Sequence, residues 1–195
     1  EEQEAEIITP AEFRSLLLVA SGSLAGVSED ERWSPGLLAG VALQGFCGIR
    51  AKEMTRLDWK AVDFEEGQVL VSKGQGKTRK GRLIPLPEAC RAWLKDFAGK
   101  TGPVVPGEYQ KKLSGLRAIM RSPSQATRSA PGFVPSEMPD NCLRHSFATY
   151  HLAIHKSEAL TSRLMGNSPG VLRDNYEALV LRAPRLAPEW FNVKP

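Results

Sequence analysis

Apolar positions along the chain fall mostly at helical spacing. Phe13, Leu16, Leu17 and Ala20 share one face of a helix. Its start is written in "TPAEF": Thr9 serves as N-cap, Pro10 opens the first turn and Glu12 completes a capping box. Ser34-Pro35 predicts the start of a second helix, with Leu37, Leu38, Val41 and Ala42 on its apolar face. Gly45 and Gly48 are expected to break or pinch the chain before a short helix through "RAKEMTRL". "PEACRAWLKDFAG" predicts a helix ended by Gly99, and "PGEYQKKLSGLRAIM" another. Further helices are expected at roughly 140–154, 157–165 and 169–176. Two stretches alternate instead with the period of a strand, "QVLVS" and "RLIPL". The polar "KGQGKTRKG" between them reads as the tip of a β-hairpin.

Pro123, Pro131, Pro135 and Pro139 make residues 122–139 a loop, and Pro184 and Pro188 break up the tail. Residues 1–8 are acidic and read as a linker or tail; 9–195 form one domain. The expected fold is mainly α with a small antiparallel β-sheet, an α+β arrangement. No βαβ alternation appears, which excludes a Rossmann-type fold, and no G-x-x-x-x-G-K-[ST] loop marks a nucleotide triphosphate site. No apolar run approaches ~18 residues, so no membrane partner is expected. The chain opens on Glu rather than Met, which predicts a piece of a longer protein.

Charge and cysteines narrow the setting. The net charge is +4, but Glu1, Glu2, Glu4 and Glu6 lie at the very start, and the rest carries +8. Lys73, Lys77, Arg79, Lys80 and Arg82 crowd residues 73–82 with no acid among them, and residues 111–128 hold five more cations. Such patches suit a polyanion such as DNA or RNA, or else form a solvated basic face. Cys47, Cys90 and Cys142 are odd in number and far apart, which argues against disulfides and fits a reducing cytoplasm. His151 and His155 lack a third ligand, so no metal or other cofactor is expected.

Some polar residues are costly for their surroundings. Arg50 stands at a helix start after "GFCGI". Arg144 lies inside "NCLRHSFATYHLA", between Leu143 and Phe147. Lys77 sits on the hairpin tip, where Lys73 and Lys80 are alternatives. Tyr176 follows Asn167 by nine residues. Two arginines, a lysine and a tyrosine suit phosphodiester chemistry: guanidiniums grip non-bridging oxygens, an ammonium donates a proton, a phenol attacks phosphorus.

Order and spacing resemble the tyrosine recombinases, or phage integrases, and specifically their C-terminal catalytic domain. The family's "GLRxxEhxxLxW" reads here "GIRAKEMTRLDW", giving Arg50 and a supporting Glu53. A hairpin lysine eight before a "VPL" proline corresponds to Lys77 and Pro85. "HxLRHSFAT" becomes "NCLRHSFAT", which gives Arg144, and "LLGHS" becomes "LMGNS". The resemblance implies DNA strand cleavage and rejoining, with Tyr176 as nucleophile, Arg50 and Arg144 on the scissile phosphate and Lys77 protonating the leaving 5′-oxygen. Lys73, Arg79, Lys80 and Arg82 are expected to contact DNA. Double-stranded DNA is the implied partner, with self-association into a tetramer on it, the "EWFNVKP" tail docking on a neighbouring protomer, and a place in the cytoplasm at the nucleoid. The other readings are a non-catalytic DNA-binding module derived from an integrase, and a strand-passage enzyme that relaxes supercoils.

Two positions depart from the pattern. Asn141 stands where the family has His or Lys, and Asn167 where it has His or Trp. An amide cannot carry a proton at neutral pH, though it donates hydrogen bonds. Loss of assisted proton transfer typically costs ~10²–10⁴ in rate. His145 is nearest in sequence but, one position from Arg144, is expected to point to another side of the helix. We predict that Asn167→His speeds phosphotyrosyl formation by Tyr176, measured as covalent adduct per minute on a nicked duplex; an unchanged or lower rate would remove the asparagine from the account of rate.

Overall fold

The computed structural model describes residues 6–72, 81–168, 170, 172 and 185–195. The first helix, α1 (Pro10–Ser21), has the anticipated cap: Thr9 Oγ1 accepts from the Glu12 N–H at 3.2 Å, and Glu12 accepts from the Thr9 N–H at 2.7 Å. Phe13, Leu16, Leu17 and Ala20 are all buried. Helix α2 (Leu38–Cys47) starts later than Ser34-Pro35 predicts, because Pro35 and Gly36 form a turn. It is buried from Ala39 to Cys47 and packs against α1, α4 (Glu88–Leu94) and α7 (Cys142–His155). Gly45 does not break it. A methyl group there would lie 2.3 Å from Phe13 Cζ, so the missing side chain is what lets Phe13 seat on the helix.

Short α3 (Ala51–Met54) leads through a 3₁₀ turn to β1 (Val62–Asp63), β2 (Gln68–Val71) and β3 (Arg82–Pro85). The sheet is antiparallel in the order β1-β2-β3, with Val69 opposite Ile84 and Val71 opposite Arg82. β1 was not expected; at two residues it shows no alternation. The tip, residues 73–80, lies outside the described residues, as do Lys73, Lys77, Arg79 and Lys80 with it. Helix α5 (Tyr109–Arg121) follows, and the proline-containing loop holds one further turn, α6 (Gln125–Arg128), capped by Ser124. Helices α7 and α8 (Glu158–Met165) stand where expected. Tyr176 and most of the predicted 169–176 helix lie outside the described residues.

Ile8 and the tail are both tied down. Ile8 is buried, donates its N–H to Ser146 Oγ at 2.9 Å and accepts from the Tyr150 hydroxyl at 3.0 Å, so the end of the acidic segment is docked. The tail forms α9 (Ala187–Trp190). Trp190 is fully buried, stacks on Phe13 at 4.2 Å and donates its indole N–H to the Gly45 carbonyl at 2.9 Å. Val193 O accepts from Trp93 Nε1 at 2.9 Å. In the single chain, then, the tail expected to dock on a neighbour packs on its own body, because Phe13, Gly45 and Tyr150 leave a place for the Trp190 ring. Among the described residues, no helix is long and apolar enough to cross a membrane.

Near its end α7 buries His151, which stacks on Phe147 and shares a 2.8 Å hydrogen bond with Thr161 Oγ1. Burial, and then the adjacent His155, push its imidazole down to about 4. Between an ordinary value near ~6.5 and the depressed one, the unfolded chain takes up a proton that the folded chain refuses, so stability falls as pH is lowered. The expected loss reaches on the order of 3 kcal/mol near pH ~4. Urea unfolding of wild type and His151→Gln at neutral and acid pH tests this: the variant should lack that part of the slope.

Candidate active site

The site is assembled from four segments distant in sequence. Arg50 is the N-cap of α3, with extended backbone (φ −68°, ψ 144°). Its N–H donates to Glu53 Oε2 at 3.0 Å, and its guanidinium reaches Glu53 Oε1 at 3.4 Å and the Gly166 carbonyl at 3.0 Å. Arg144, from the first turn of α7, is buried. It donates to the Gly48 carbonyl, to the Met165 carbonyl at 2.8 Å and to Asn167 Oδ1 at 3.1 Å. Arg50 Nη2 also donates to Asn167 Oδ1. Guanidiniums only donate, so the amide oxygen faces them and the Asn167 NH₂ points away from them.

Gly166 makes the turn possible. It ends α8 in the left-handed conformation (φ 67°), and a methyl group there would lie 3.1 Å from Arg82 Nη1 and 3.3 Å from Arg50 Nη1. No other residue meets both conditions without strain. Asn141 caps α7 with φ 56°, a conformation that asparagine tolerates well. It is exposed and makes no side-chain cap bond.

Arg50, Lys52, Arg117, Asn141, Arg144, His145 and Asn167 line one cavity of about 660 Å³ between α3, α5 and α7. A second recess, of about 560 Å³, opens on the other side of Arg50 and is edged by Glu53, Arg56, Lys60 and Ser72. His145 faces the first cavity, contrary to the expectation from its neighbour Arg144. Burial, and then the Arg144 charge, lower its pKa, which favours a neutral imidazole at pH 7.

Arg82 is placed differently from the DNA-facing position anticipated for it. Its side chain is 6% exposed and faces inward, as the burial alternation of β3 requires. It donates to both Glu53 oxygens, at 2.9 and 2.7 Å, and to the Leu164 carbonyl at 2.6 Å. The signal was in the alternation: with Ile84 inward, Arg82 is inward too. Two guanidiniums, those of Arg50 and Arg82, therefore meet one carboxylate, and Arg144 joins Arg50 through the Asn167 amide oxygen. No group of three or more His, Cys, Asp or Glu side chains that could hold a metal occurs among the described residues.

A mainly helical domain that gathers two arginines beside a three-stranded antiparallel sheet has the architecture of a tyrosine recombinase catalytic domain. The chain belongs to the phage integrase family, whose model matches residues 37–158. Similar relatives include the tyrosine recombinase XerC of Xanthomonas campestris pv. campestris (strain B100), 32% identical over 126 residues, 62% of this chain and 37% of that protein. The XerC of Xylella fastidiosa (strain 9a5c) is 29% identical over 110 residues, 54% of this chain and 35% of that protein. The chain thus spans little more than a third of the length of these relatives. Among solved structures, the XerA recombinase matches with a TM-score of 0.60 at 17% identity, covering 93% of this chain and 62% of that one. The Tn1549 transposon integrase in complex with transposon right end DNA matches with a TM-score of 0.62 at 16% identity, covering 95% and 66%.

Burial alone would raise the Glu53 carboxyl, but the bonds from Arg82 and the Arg50 amide, with both guanidinium charges, hold it below the usual carboxylate range. A lowered carboxylate stabilises the fold above its unfolded pKa, and that contribution is lost as pH falls through the lowered value. Glu53→Gln leaves Arg82 buried without its countercharge and should cost about 3 kcal/mol or more at pH 7 in urea unfolding. The gap between variant and wild type should shrink in acid, as wild-type Glu53 is protonated.

Proposed function

We propose that this chain is the catalytic domain of a site-specific DNA recombinase of the integrase type. The observation that carries the reading is the convergence of Arg50 and Arg144 on the Asn167 amide at a cavity lined by further cations. A scissile phosphate at the cavity would receive guanidinium hydrogen bonds on its non-bridging oxygens, which strengthen as charge builds in the transition state. Tyr176 Oη gives its proton to water or a neighbouring base and attacks phosphorus, the bond to the 5′-oxygen breaks as a 3′-phosphotyrosyl link forms, and the 5′-oxygen leaves with a proton from Lys77. A 5′-hydroxyl of the partner strand then attacks the link, returning its proton to Lys77, and the tyrosine leaves and takes a proton back from water or the same base. The phosphotyrosyl bond conserves the energy of the phosphodiester, so no nucleotide is consumed.

The roles of Tyr176 and Lys77 rest on spacing and family resemblance, and the same holds for Lys73, Arg79 and Lys80 as contacts to DNA. The bound species is double-stranded DNA at the nucleoid, with four protomers assembled on it. Exchange of the tail between protomers would require α9 to leave its own Phe13 pocket. Phosphate contacts make affinity fall steeply with salt.

The deciding experiment uses a duplex from a candidate target site, nicked so that the cleaved piece diffuses away. The full-length protein should form a covalent adduct on a denaturing gel, and Tyr176→Phe should abolish it. Specific binding without any adduct would instead support the non-catalytic DNA-binding module, a reading that Asn141 and Asn167 motivate.

A further inference from the structure

Arg82 uses its three donor positions on two segments that carry site residues. Nη1 and Nη2 hold both oxygens of Glu53, at 2.9 and 2.7 Å, and Nε holds the Leu164 carbonyl at 2.6 Å. Glu53 in turn receives the Arg50 N–H and the Arg50 guanidinium through the same two oxygens. Leu164 lies two residues before Gly166, whose carbonyl accepts from Arg50, and three before Asn167, which bridges Arg50 and Arg144. Arg82 itself starts β3, five residues after Lys77. A rigid planar fork that is 6% exposed has little freedom to move, so it fixes the carboxylate plane and the end of α8 relative to each other.

We infer that Arg82 is a positioning residue for DNA cleavage: through Glu53 it sets the orientation of the Arg50 guanidinium, and through Leu164 it sets the turn that presents Asn167. It reaches no substrate itself. The inference rests on the recombinase reading for its assay and on the geometry for its logic. A lysine keeps the charge of Arg82 but presents it as a point, with no fork to hold two oxygens and a carbonyl together. A displacement of about 1 Å at a phosphate-gripping group is enough to cost on the order of 10²-fold in rate.

The test is a double-mutant cycle on the rate of adduct formation by the full-length protein on a nicked duplex, with Arg82→Lys, Arg50→Lys and the pair. Affinity for the intact duplex and thermal unfolding are followed in parallel. Arg82→Lys should slow adduct formation by about 10–100-fold in the wild-type background, with DNA affinity changed by less than about 3-fold. In the Arg50→Lys background the same change should cost less than about 3-fold, because the residue it acts through is already compromised. An equal loss in both backgrounds would overturn the inference and leave Arg82 a stabilising residue only. A loss of affinity as large as the loss of rate would make it a DNA contact. Should Arg82→Lys fail to fold, Glu53→Gln with Arg82→Gln removes the charge pair together and enters the same cycle. Wild type that binds duplex without forming an adduct would refute the catalytic reading and, with it, any role of Arg82 in cleavage, an outcome distinct from equal losses in an active wild-type background. Wild type that neither binds nor cleaves removes the reading and the inference together.

Discussion

The carboxylate of Glu53 is what allows two guanidiniums to be gathered at one corner of the domain. Like charges roughly 5 Å apart repel by about 3 kcal/mol at an effective dielectric near 20, and a shared carboxylate reverses that sign. Glu53 does so with both oxygens, and also accepts the backbone N–H of Arg50. The same group thus caps α3, neutralises Arg82 and steadies Arg50. Because Arg82 is so deeply buried, its partner cannot be lost without stranding a charge, and this ties the integrity of the fold to the geometry of the site.

The scaffold beneath is stiff for reasons of packing. Helix α2 is buried on nearly every side, and its last turn runs into Gly48 and Arg50. Phe13 sits on Gly45, and Trp190 covers Phe13 while its indole holds the Gly45 carbonyl. The two ends of the chain therefore clamp the helix that delivers Arg50. The Gly48 carbonyl also receives Arg144, so the same turn steadies both arginines.

Features set by neighbours in sequence were legible, and features set by distant contacts were not. The cap of α1, the strands β2 and β3 and the helices α5, α7 and α8 follow from local periodicity and capping chemistry. The start of α2 was misplaced because Pro35 opens a turn here rather than a helix. Gly45 resembled a breaker because only Phe13, thirty-two residues away, explains it. The docking of Trp190 and Ile8 on the body belongs to the same class. In the site, Arg50, Glu53, Arg144 and Asn167 were readable from motif spacing. That Arg50 and Arg144 meet on one amide oxygen was not, since 117 residues separate Arg50 from Asn167. Arg82 was misjudged by charge, although the alternation of its own strand carried the answer.

The asparagine at 167 has a consequence that follows from donors and acceptors alone. Any residue placed between two guanidiniums must offer them an acceptor. A neutral imidazole does so with one ring nitrogen, and two adjacent positive charges keep it from being protonated. The Asn167 amide meets the same demand with an oxygen that never titrates, and keeps its NH₂ for a further acceptor. The amide therefore preserves the electrostatics that hold Arg50 and Arg144 together while leaving the position without a titratable group. Asn141, which lines the same cavity, does not titrate either. His145 is then the imidazole that faces the cavity among the described residues, and its depressed pKa leaves it in the form that accepts a proton. Under the proposed recombinase reading, anion binding falls to the arginines and their amide bridge, and proton transfer falls to another group.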